Sequence, residues 1–70
     1  MDTELQRFER LDRTAAALGI PKETLRREAV AGTLPSVLIG RRRFFVVGQV
    51  REVLERRALD SVRQHEAVAR

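Results

Sequence analysis

Apolar residues change their spacing twice along this chain, and that alternation limits the folds open to it. Up to Val30 they recur at helical intervals, from Ser36 to Val47 they alternate, and from Gly48 the helical interval returns. Helices on either side of a β-hairpin satisfy such a pattern. The breaks between segments are marked in the residues themselves. Gly19 follows Ala15-Ala16-Ala17-Leu18 and supplies a left-handed helix end, and Gly32 does the same after Val30-Ala31. Leu34-Pro35 reads as an extended connector, because the residue before a proline is pushed out of the helical region.

Thr3-Glu4-Leu5-Gln6 has the form of a capping box and predicts a short leading helix carrying Leu5, Phe8 and Leu11 on one face. Asp12 is expected to cap the next helix, which runs through the alanines to Leu18. After the Gly19 turn, Pro21 offers a fixed φ at the entrance to a second helix from Lys22 to Val30. Leu25 and Ala29 point inward from it, and Lys22, Glu23, Arg26 and Arg27 stay outside. The hairpin is expected to turn on a three-residue loop, Gly40-Arg41-Arg42. That register groups Val37, Ile39, Arg43 and Phe45 on one face, and leaves Leu38 and Phe44 on the other as a shelf for the leading helix or an association patch, with stacking of single-stranded bases on Phe44 and Phe45 as a third reading. Val50, Val53 and Leu54 then face inward from a third main helix, extended by Ala58, Leu59 and Val62. The expected organisation is one domain over residues 1–62 and a fraying tail over 63–70.

Seventy residues can build only one small core, and no cysteine is present to staple it or to bind zinc. A hydrolytic or strand-transfer centre lacks its parts. There is no tyrosine, the serines are Ser36 and Ser61, and His65 is the single histidine, so nucleophile, base and orienting acid cannot be assembled. No catalytic residue, metal or cofactor is therefore expected. No apolar run reaches the roughly 18 to 20 residues needed to cross a bilayer, and Met1-Asp2-Thr3-Glu4 lacks a signal pattern, so the expected location is cytoplasmic with no membrane partner.

The net charge of +4 is concentrated. Between Ile20 and Val47 stand Lys22, Arg26, Arg27, Arg41, Arg42 and Arg43 against Glu23 and Glu28, whereas the remainder of the chain is balanced. Positive charge gathered between neutral ends is the footprint of a polyanion-binding face. Three successive arginines at a hairpin tip repel one another unless something neutralises them. A helix, glycine turn and second helix followed by such a hairpin can grip a duplex, the second helix in the major groove and the hairpin on the backbone or the adjacent minor groove. Lys22 and Arg26 lie on one stripe of the second helix with Arg27 beside them. Glu23 either accepts from a cytosine amino group or simply occupies the acid position favoured in a first helical turn.

Taken in order, Ala15-Ala16-Ala17-Leu18-Gly19-Ile20, Thr24-Leu25-Arg26-Arg27, Ala31-Gly32-Thr33-Leu34-Pro35 and Ile39-Gly40-Arg41-Arg42-Arg43 resemble the excisionase-like, MerR-like winged helix-turn-helix domains. The resemblance covers about Leu11 to Leu54 and departs from the common pattern at Pro21, where a serine or threonine cap is usual. It implies a mainly α fold with a small β-hairpin, a recognition helix presenting Lys22, Glu23, Thr24, Arg26 and Arg27, and a wing presenting Arg41, Arg42 and Arg43. It further implies a recombination directionality factor that binds repeated double-stranded DNA sites side by side and turns an integrase, of the tyrosine or serine recombinase type, toward excision. Transcription regulators share the same domain. A protein-interaction adaptor using Leu5, Phe8, Phe44, Leu59 and Val62 is the alternative of another class. A single module of this kind buries on the order of 600 to 1,000 Å² on DNA, so cooperative or dimeric binding is expected.

Overall fold

A computed structural model of the chain describes residues 7–68. In chain order these form β1 (Phe8–Arg10), α1 (Leu11–Leu18), α2 (Lys22–Val30), β2 (Val37–Ile39), β3 (Arg42–Val46) and α3 (Val47–Val68). The architecture is mainly helical, with one small antiparallel sheet of strand order β1-β3-β2. Thr3 to Gln6, the proposed capping box, lie outside the described residues. Helix α3 continues to Val68, well into the stretch expected to fray.

The leading segment differs from expectation. Phe8–Arg10 is a strand, paired through Phe8↔Val46, Glu9↔Phe45 and Arg10↔Phe44, rather than part of a helix. Leu5, Phe8 and Leu11 do have helical spacing, but the free edge of β3, some 35 residues further along the chain, offers this backbone a ladder of hydrogen bonds. Asp12 is accordingly not a cap. Helix α1 starts directly at Leu11 after Arg10, without a side-chain cap, and Asp12 sits in its first turn. Thr14, fully buried, donates its hydroxyl to the Arg10 carbonyl at 2.9 Å, so the polar group it brings into the interior is satisfied.

Helices α1 and α2 end in the same way. Ile20 N–H bonds the Ala15 carbonyl and Gly19 N–H that of Ala16; Thr33 N–H bonds Glu28 and Gly32 N–H bonds Ala29. This is the Schellman pattern, and it requires the left-handed backbone that Gly19 (φ 70°) and Gly32 (φ 81°) adopt. Pro21 is the residue before α2 rather than its first residue, with φ −64° and ψ 138°, and its carbonyl accepts from Leu25 N–H. Lys22–Val30 agrees with the helix read from the sequence.

The hairpin turns more tightly than expected. Val37 pairs with Phe44, Leu38 with Arg43 and Ile39 with Arg42, so the loop is the two residues Gly40 and Arg41. Gly40 has φ 63° and Arg41 does not have a positive φ, the sign pattern of the glycine-first type II′ turn that matches strand twist. Moving the register by one residue exchanges the faces. Val37 and Ile39 share a face with Arg42 and Phe44, and with Phe8 and Arg10 of β1; Leu38 and Arg43 share the other with Phe45. Leu38 and Phe44 are therefore on opposite faces and form no common shelf.

Phe45, Leu25 and Val50 are completely buried and are joined by Ala15, Ala29 and Leu34 in one core, with Leu11, Leu18, Ile20, Val53 and Leu54 packed around it. One phenylalanine from the central strand thus shares a core with residues from all three helices. The opposite face of the sheet is left open, where Phe8, Val37 and Ile39 are exposed.

Candidate nucleic-acid interface

Because α2 buries Leu25 and Ala29, the stripe a third of a turn away points along the molecule toward the hairpin. That stripe is Lys22, Arg26 and Val30, at intervals of four, with Glu23 beside it. The hairpin projects its tip past the core from the other side. Between them lies an open cleft of about 660 Å³, whose walls come from β1 and the start of α1, from α2, and from the hairpin. Six basic residues line it, Arg10, Lys22, Arg26, Arg41, Arg42 and Arg43, against the two acids Asp12 and Glu23.

Charge in the cleft differs from the cluster read along the sequence. Arg27 and Glu28 belong to that cluster but do not line the cleft; Arg10 and Asp12 do, and neither falls within the charged stretch from Ile20 to Val47. Arg10 arrives there because β1 pairs with β3. Thr24 is half-buried and Arg27 exposed, and neither is brought to the cleft. Val30 was legible in principle, as the third member of the Lys22, Arg26 stripe. Leu38 was not, because its face depends on the loop length.

The three hairpin arginines are not equivalent. Arg41 and Arg42 are exposed. Arg43 is half-buried, on the sheet face of Phe45, and its Nη1 donates to Ser36 Oγ at 3.0 Å. Among the described residues none of the six cleft cations forms an ion pair; the two ion pairs present, Arg56 with Glu52 at 3.9 Å and Arg57 with Glu28 at 3.1 Å, lie on α3 and at its contact with α2. The N-terminus of α2 carries no side-chain cap, which leaves its first-turn N–H groups without a capping side-chain acceptor.

On the other side of α2 the charges are matched internally. The Schellman turn carries Thr33 back over the last turn of α2, where its hydroxyl lies 2.9 Å from the Glu28 carbonyl and 2.6 Å from Oε1 and shares its proton between them. Arg57 donates to the Thr33 carbonyl at 2.9 Å and pairs with the Glu28 carboxylate. The Thr33 hydroxyl first, and Arg57 second, hold the Glu28 carboxyl below its ordinary value of 4.5. This network joins α3 to the C-terminal end of α2, and so fixes the helix that forms one wall of the cleft.

Among the described residues no three metal-ligating side chains come together, and no helix is long and apolar enough to cross a membrane. Compared with protein-family models, with curated proteins and with solved structures, the chain matches none.

Proposed function

We propose that this chain is a winged helix-turn-helix protein that binds double-stranded DNA, with α2 as the recognition helix in the major groove and the β2–β3 hairpin as the wing. The observation that carries this reading is the cleft: six cations from three separate elements, without an ion-pair partner among the described residues, line a space open to solvent. An arrangement of like charges held apart from neutralising groups is unfavourable in the free protein and favourable once phosphates replace the missing partners. Lys22 and Arg26 reach base edges, Glu23 accepts from a cytosine amino group, and Arg10, Arg41 and Arg42 hold phosphates on either side. Arg43, tethered to Ser36, sets the direction of the wing. The uncapped N–H groups of α2 are suited to a further phosphate oxygen.

Within that class we favour the role of a recombination directionality factor, acting in the cytoplasm without catalysis of its own. Its support is the resemblance of the ordered motifs from Leu11 to Leu54. In this role copies bind adjacent sites cooperatively and direct an integrase toward excision.

The test is fluorescence-anisotropy binding to a mixed duplex pool at two salt concentrations, for the native protein and an Arg41→Ala, Arg42→Ala double variant. Salt-sensitive binding is expected, with a slope shallower by about two units in the variant, roughly one per phosphate contact removed. Absence of binding at low salt sinks the proposal and leaves a protein-interaction adaptor as the better reading. Gel-shift titration on one-site and two-site duplexes then separates cooperative from independent binding, and equal affinity per site removes the side-by-side assembly.

A further inference from the structure

Of the three apolar residues that line the cleft, Leu11 is explained by its packing on the core, and the other two do not fit a surface made for phosphate alone. Val30 and Leu38 are large apolar side chains, 66% and 57% exposed, and both line the cleft among the six cations. They come from different elements, the last turn of α2 and strand β2. Each occupies its place as part of a pattern. Val30 continues the stripe of Lys22 and Arg26, and Leu38 lies on the sheet face of Arg43 and Phe45. Single apolar residues scattered over a surface need no explanation, but two exposed ones that reach one charged cleft from separate elements give its lining an apolar part among the cations.

A ligand complementary to that lining is a polyanion that carries apolar groups at the depth of its groove. In the major groove of DNA the edges of guanine, cytosine and adenine present only donors and acceptors, and thymine alone presents a methyl group. We infer that Val30, and Leu38 where it is set back from the hairpin tip and lines the cleft shared with α2, read thymine 5-methyl groups in the groove that α2 enters, so that this protein selects sites by A·T pairs placed opposite them. The inference rests on the DNA-binding reading above and adds the chemistry of its specificity. Selection acts in both directions. A thymine methyl gains by leaving water against the valine or leucine, whereas a cytosine amino group or a guanine carbonyl at the same place loses water without finding a partner. The same contact separates DNA from RNA, because uracil lacks the methyl.

The experiment removes that methyl and nothing else. Duplexes are first selected by the native protein from a randomised pool. The strongest binder is then resynthesised with each thymine replaced in turn by deoxyuridine, and affinities are measured for the native protein, Val30→Ala and Leu38→Ala. Both side chains are exposed, and thermal melts confirm that the variants fold. One or two replacements are expected to weaken native binding about fourfold each, the effect of one buried methyl. Those replacements should have no effect on the variant that lacks the matching side chain. 5-Methylcytosine should bind better than cytosine at the same positions. Native binding insensitive to every deoxyuridine overturns the inference, as does sensitivity that survives in both variants. A leucine wedged into the minor groove gives that first result, since the thymine methyl lies in the major groove. These outcomes all require DNA binding, so its loss at low salt identifies failure of the underlying reading instead.

Discussion

The two sides of α2 use the same side chains for opposite purposes. Toward α3, Arg57 is held by Glu28 and the Thr33 carbonyl, so these two opposite charges are matched within the fold. Toward the hairpin, Lys22 and Arg26 face Arg41 and Arg42 across an open cleft with no ion pair among them. The first side spends its charges on contacts within the fold, and the second leaves them facing solvent. Thirteen arginines look alike in the sequence. What separates them is whether their charge is answered inside the molecule, and that depends on which backbone segments are brought together.

The largest test of this contrast strikes both sides at once. Phe45→Ala removes the side chain on which all three helices converge, and should destabilise the protein by about 3 to 5 kcal/mol, a large share of what a small domain holds. In a urea melt the variant should be mostly unfolded without denaturant. A native-like midpoint would mean that the two sides do not share a core.

Gly19→Ala should have a smaller effect and act on one connection only. A methyl group there meets nothing within 4 Å, so the penalty comes from holding alanine at φ 70°, about 1 to 2 kcal/mol. Thermal unfolding should show the loss, and the salt dependence of DNA binding should not change. A variant as stable as the native protein would show that α1 can end without a left-handed residue.

The smallest effect sharpens the contrast by pH. Because the Glu28 carboxyl is held below 4.5 in the fold, it contributes stability that is fully present above its unfolded value and is lost as pH falls through the lower folded value. Glu28→Gln should melt slightly lower than the native protein near neutral pH, and the two should converge in acid. The measurement is the melting midpoint of each across that range. Parallel profiles would remove Glu28 from the side described as internally matched.

Local signals in the sequence locate some elements well and others not at all. Helix α2 and the Gly19 turn were legible because punctuation and periodicity agree there: a proline before, a glycine after, and Leu25 and Ala29 four apart between them. Strand β1 was not, since its partner β3 is remote and the spacing of Leu5, Phe8 and Leu11 suits a helix equally. The hairpin was legible as a hairpin but not in its register, because Gly40-Arg41-Arg42 supports a loop of two or three residues and arginine suits the strand end as well as the loop. These two uncertainties propagate directly into the candidate site. Lys22, Glu23, Arg26 and the hairpin arginines could be named in advance. Arg10 could not, because its place depends on β1, nor could Leu38, because its face depends on the register.

Strand β3 ends at Val46 and α3 begins at Val47, with no residue between them. The arginine tip and the longest helix therefore depart from one point of the chain, at Val46 and Val47 beside the buried Phe45. Val50, Val53 and Leu54 seat the first half of α3 against the core and Arg57 ties it to α2, so the arm that stands clear begins after Arg57 and, at 1.5 Å per residue, runs about 16 Å to Val68, with Leu59 and Val62 exposed along it.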